Sequence, residues 1–84
     1  MSVIPSESDL RQALSDAGSA HHDYEQDVLA GVRDERWSGF YAAFALGRLG
    51  DFASASDLAR WLEAAPPADD WAESAALFVL DRLR

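Results

Sequence analysis

The sequence predicts an all-α fold: a single five-helix domain, in which an N-terminal helix precedes a helical hairpin that occurs twice. Three observations predict it. Apolar residues recur at intervals of three and four, the spacing of one helix face. No segment shows the sustained alternation of a half-buried strand, and there is no Asn-Gly or Asp-Gly hairpin turn. The chain also matches itself at an offset of 34 residues, WSGFYAAFALGRL lying over WAESAALFVLDRL.

The first helix is expected at about residues 6–17. Ser6 follows Pro5 as its N-cap, and Asp9 completes a capping box where Glu is usual. Leu10, Ala13, Leu14 and Ala17 form one apolar stripe, and Gly18 reads as a stop. From Ser19 a second helix carries Tyr24, Val28, Leu29 and Val32 on one side, with Asp23, Glu25 and Asp27 outside and Gly31 weakening its end. Asp34 or Glu35 opens a third helix that runs to Gly50, with Gly39 and Gly47 inside it reading as points of close helix approach. Residues 51–56 cap a fourth helix bearing Leu58, Trp61 and Leu62, which Pro66-Pro67 must end. Asp69 and Asp70 start a fifth, continuing almost to Arg84. The chain thus divides into a capping helix (1–18), a first hairpin (19–50) and a second hairpin (51–84).

The self-match pairs Trp37 with Trp71, Phe44 with Phe78, Leu46 with Leu80, Arg48 with Arg82 and Val28 with Leu62. Its period and the phrase ALGRLGD resemble two-helix solenoid repeats of the tetratricopeptide or HEAT type over roughly residues 20–84. The Trp, Leu-Gly and Tyr positions of the tetratricopeptide signature are not reproduced. DERWSGFYAAFALGRLG also resembles short bacterial proteins with an Asp-x-x-Trp-x-x-aromatic-Tyr-Ala motif, a resemblance that implies a helical fold and carries no activity with it.

Composition narrows the function classes. Fifteen Asp and Glu face seven Arg, with no Lys, for a net charge of −8. Phosphate contacts supply much of nucleic-acid affinity, so this charge argues against binding nucleic acid or an anionic membrane. With no cysteine, disulfides and thiolate metal sites are excluded. The N-terminus lacks the basic start and apolar run of a signal peptide, and no stretch approaches the roughly 20 apolar residues that span a bilayer, so a cytoplasmic protein is expected.

The third and fifth helices each have two apolar faces, which places them at the centre with the second and fourth outside. The first helix covers one end of this stack and no sixth covers the other, so apolar surface on the fifth helix, or around Trp61, is expected to remain open. Trp37, Phe40, Tyr41, Phe44, Trp61, Trp71 and Phe78 form the candidate interaction surface, joining a homodimer or another protein. The plainer alternative is that these aromatics fill one monomeric core.

Other chemistry has less to stand on. His21, His22 and Glu25 are close enough along one helix to be weak candidates for a metal site, but no second Glu-x-x-His cluster accompanies them. Solvent-facing or capping histidines are the expected role. Neither a Gly-x-Ser-x-Gly elbow nor a phosphate-binding glycine loop occurs, so no catalytic residue and no cofactor are assigned. Rows of acids, Asp23, Asp27 and Asp34 or Asp69, Asp70 and Glu73, would suit a nucleic-acid mimic; acids favouring helix starts explain them more simply. Arg48 and Arg82 sit in matching last turns, where a cation meets the helix dipole. The expected function is a non-enzymatic interaction or regulatory module, with the acidic mimic and a metal-binding protein as alternatives.

Overall fold

The computed structural model describes residues 4–83. Residues 1–3 and Arg84 lie outside it. Among the described residues there are four helices and no strand: α1 (Glu7–Asp27), α2 (Trp37–Leu49), α3 (Ala55–Ala64) and α4 (Trp71–Leu83). The all-α class holds. The five-helix count is corrected to four, because the expected first and second helices are one helix of 21 residues.

The continuity of α1 follows from its stripe. Leu10, Ala13, Leu14, Ala17 and His21 are all buried, so the apolar face runs straight past Gly18. A glycine inside a helix costs about 1 kcal/mol relative to Ala, less than burying a single further leucine gains. Gly18 has a packing role instead: a Cβ there would stand 3.2 Å from Tyr41 Oη. The glycines expected to mark close approach, Gly39 and Gly47, would have nothing within 4 Å of an added Cβ.

The end of α1 also differs from expectation. Val28, Leu29 and Val32 lie beyond the helix, in the loop that precedes α2. The Val28 N–H donates to the Tyr24 carbonyl and the Gly31 N–H to that of Glu25 (2.8 Å). Ala30 and Gly31 follow with φ of 55° and 84°, a left-handed turn that halts the helix. Helix α2 then starts at Trp37, after Asp34 and Glu35, with no side-chain cap at Arg36.

Local capping signals elsewhere act as read. Ser6 Oγ accepts the Asp9 N–H and Ser54 Oγ the Asp57 N–H, both at 3.1 Å, and Asp70 Oδ1 accepts the Glu73 N–H at the start of α4. The last turn of α3 ends at Ala64, just ahead of Pro66-Pro67.

The helices form a closed ring. α1 packs on both α2 and α4, and α3 packs on α2 and, more lightly, on α4. Leu10 and Leu14 of α1, Leu58 and Leu62 of α3, Val79 and Leu80 of α4, and Phe52 from the α2–α3 connection meet in the middle, against the small Ala42 and Ala45 of α2. The expected stack with one uncovered end is thereby corrected. Because α1 is long and continuous, its N-terminal half reaches α4 and covers what a sixth helix would have covered. Helices α2 and α4 keep the offset of the self-match, since their bounds, 37–49 and 71–83, are 34 residues apart at both ends.

Candidate functional site

The polar cluster with the most geometry sits where α1 meets the loop at 28–36. His21 lies on the same stripe as Leu14 and Ala17, and is therefore turned inward and only 7% exposed. A buried imidazole needs partners. His21 Nε2 is 2.9 Å from Asp34 Oδ2, and Nδ1 is 3.8 Å from Glu25 Oε1. The two acids are themselves joined: the Asp34 N–H donates to Glu25 Oε2 at 2.7 Å, while Asp34 Oδ1 accepts the Arg36 N–H at 2.9 Å. Every contact but that of His21 with Glu25 lies within this loop or between it and α1, so the cluster ties the loop down.

Aromatic rings enclose the imidazole. The Phe40 ring meets it edge-on with centroids 5.0 Å apart, Tyr41 lies at 5.5 Å and Tyr24 at 6.4 Å. The hydrogen bond to His21 holds the Asp34 carboxyl below the usual carboxylate range, with the Arg36 N–H adding to it. Burial, and to a lesser degree the charge of Glu25, pushes the Tyr41 hydroxyl up.

This arrangement separates the three residues paired as weak metal candidates. His22 is exposed, about a third of a turn away from His21 on the helix. Glu25 and Asp34 address opposite nitrogens of the His21 ring, so one ion cannot gather both. Among the described residues no group of His, Asp and Glu is arranged to hold a metal.

The candidate interaction surface is drawn largely into packing. Trp37, Tyr41 and Trp71 meet edge to face, with centroids 5.4–5.8 Å apart. Phe40 serves the His21 cluster. Phe44 and Phe78 each lie beneath the arginine one turn on, Arg48 at 4.8 Å and Arg82 at 4.0 Å. Trp61 packs against the core from α3. All seven are half-buried. Among the described residues the large apolar side chains most open to solvent are Val28 and Val32, each 65% exposed, followed by Ile4 and Leu77.

The charged side chains take positions of their own. Arg48 reaches Asp16 on α1, joining two helices and, with Gln12, holding the Asp16 carboxyl below its usual range. Arg82 pairs with its neighbour Asp81. Asp34 leaves the expected acidic row by turning toward His21, while Asp23 and Asp27 stay exposed. The buried Ser38 hydroxyl donates to Glu63 Oε2 at 3.0 Å, tying α2 to α3. A shallow polar crevice lined by Arg11, Gln12, Ser15, Asp70 and Ala72 lies between α1 and the start of α4, and it holds no histidine to act as a base.

The pairing of His21 with Asp34 is the feature that sequence reading missed. Its signal was present: residue 21 continues the i, i+3, i+4 stripe of Leu14 and Ala17, which makes it a buried polar residue in need of an acid. No helix among the described residues is long and apolar enough to cross a membrane. Fold and site together define a small all-α ring protein with a polar clasp. Comparison with protein-family models, with curated proteins and with solved structures finds no match, so its chemistry rests on its own geometry.

Proposed function

We propose that this protein is a non-enzymatic interaction module of the cytoplasm, which offers the loop at 28–36 to the apolar groove of another protein. One observation carries this reading: the two most exposed large apolar residues among those described, Val28 and Val32, lie on one loop pinned by part-buried hydrogen bonds. A pinned loop loses little freedom on docking, so more of its contact energy becomes affinity.

Magnitudes decide between another protein and a second copy. Burying a fully exposed valine contributes about 1.5 kcal/mol, so covering the 65% of Val28 and of Val32 that is exposed, on each of two chains, contributes roughly 4 kcal/mol, about millimolar affinity. Self-association through this loop is accordingly weak, and a partner must bring apolar surface of its own.

Light scattering at low micromolar concentration should give the monomer mass. Affinity capture at low and high salt, comparing the wild type with Val28→Ser/Val32→Ser, tests the docking itself. Apolar docking survives salt and is lost in the double variant, whose fold circular dichroism verifies. Capture that ignores the loop substitutions, or that vanishes at high salt, would overturn the proposal.

A further inference from the structure

We infer that the clasp of Asp34 on His21 and Glu25 is a helix stop: it holds α1 short against an alternative in which the helix runs on through Val32, and so keeps Val28 and Val32 turned outward. The starting point is the turn itself. The Gly31 N–H reaches back six positions to the Glu25 carbonyl (2.8 Å), the pattern of a Schellman stop, whose left-handed residue is ordinarily glycine. Here that residue is Ala30, at φ 55°, and the glycine comes one position late. Alanine is disfavoured in this region and is the best helix former of all. The local sequence therefore pulls against the turn it adopts.

The internal repeat shows what the same register does without a clasp. Ala30 lies over Ala64 and Val28 over Leu62, while His21, Glu25 and Asp34 lie over Ala55, Ala59 and Ala68. In the second copy Leu62 and Ala64 are helical, and Leu62 is buried. Continued as a helix, α1 would follow suit. Val28 and Val32 stand seven and eleven positions beyond His21, within about 20° of it around the axis, on the stripe of Leu10, Leu14 and Ala17. The connection to α2 is long enough. His21 packs on Phe40, which puts Trp37 near the level of Tyr24, so Val32 and Trp37 would be roughly 15 Å apart, and the five Cα steps between them reach about 17 Å. Stretched to make that return, residues 33–36 could not keep Asp34 bonded to both His21 (2.9 Å) and Glu25 (2.7 Å). The clasp and the longer helix exclude each other. If Val28 and Val32 dock as proposed above, the stop governs whether they are on offer, but the stop itself belongs to the free protein and needs no partner.

Cα chemical-shift deviations of residues 28–32, measured on the free protein, report the two forms directly. The wild type should show loop values. Glu25→Ala removes the acceptor of the Asp34 N–H and should shift the ratio toward helix roughly tenfold. Gly31→Ala, where an added Cβ meets nothing within 4 Å but φ is 84°, should shift it on the order of 100-fold. Together they should make residues 28–32 predominantly helical while the shifts of α3 and α4 stay in place. Adding Ala30→Gly, which relieves the left-handed strain and weakens the helix, should return the double variant toward the loop. Gln26→Ala, exposed and outside the clasp, controls for alanine's own propensity and should add little to Gly31→Ala. Should the double variant fail to fold, Gly31→Ala alone, which disturbs no packing, is read by the same criterion. Three results overturn the inference: a wild type already helical at 28–32, a Glu25→Ala/Gly31→Ala protein in which these residues stay in the loop or lose all order, or a gain from Gln26→Ala as large as that from Glu25→Ala.

Discussion

Gly18 and Gly47 look alike in the sequence, each a glycine among helix-forming residues, yet they meet opposite surroundings. An added Cβ at Gly47 would find nothing within 4 Å. Gly47→Ala is therefore expected to stabilise by about 1 kcal/mol, raising Tm by roughly 4–8 °C. At Gly18 the same methyl would press on Tyr41 Oη at 3.2 Å, so the helix-propensity gain should be largely cancelled. It should reappear in a Tyr41→Phe background, where the hydroxyl is gone. A double-mutant cycle by urea denaturation measures the coupling, and equal gains at both glycines in the wild type would disprove the close approach. The roles expected from sequence were the reverse, because a missing Cβ is visible in the sequence while the atom that would strike it comes from another helix.

At the scale of elements, signals that act within a few residues are legible. Ser6, Ser54 and Asp70 each accept an N–H three residues on, which spacing alone foretells. Helix α3, with 10 residues, is too short to stand without help, so its cap matters. Ser54→Ala should destabilise the protein by about 1 kcal/mol and Ser54→Asp should restore most of that, as read by thermal unfolding. The end of α1 shows the limit. Val28, Leu29 and Val32 continue a helical pattern, and only the left-handed turn at Ala30 and Gly31, held by the Glu25 and Asp34 bonds, ends the helix before it reaches them. Propensity and periodicity cannot report a bond to a residue nine positions away.

For the molecule as a whole, acid is the revealing perturbation. Hydrogen bonds from Arg48 to Asp16 and from His21 to Asp34 lower both carboxyls in the folded state from their ordinary 3.8. A lowered carboxyl contributes stability that is present above the unfolded value and is lost as pH falls through the folded one. Urea denaturation followed from about pH 7 to 2.5 should show stability dropping below about pH 4, and Asp34→Asn should flatten part of the drop. An unchanged slope in that variant would remove the His21–Asp34 pair from the account. Asp16 matters at this scale because its partner lies on another helix, and because α1, by reaching both α2 and α4, is the element that closes the ring.

By itself the sequence determined the helical class, the caps, the Pro66-Pro67 stop and the common register of α2 and α4, all of which follow from spacing and neighbouring chemistry. Tertiary structure decided the number of helices, which glycine is crowded, and that His21 faces Asp34. Each of those depends on what another segment brings to the same place: continued burial of one face carried α1 across Gly18, and an acid from the loop after α1 let a histidine be buried.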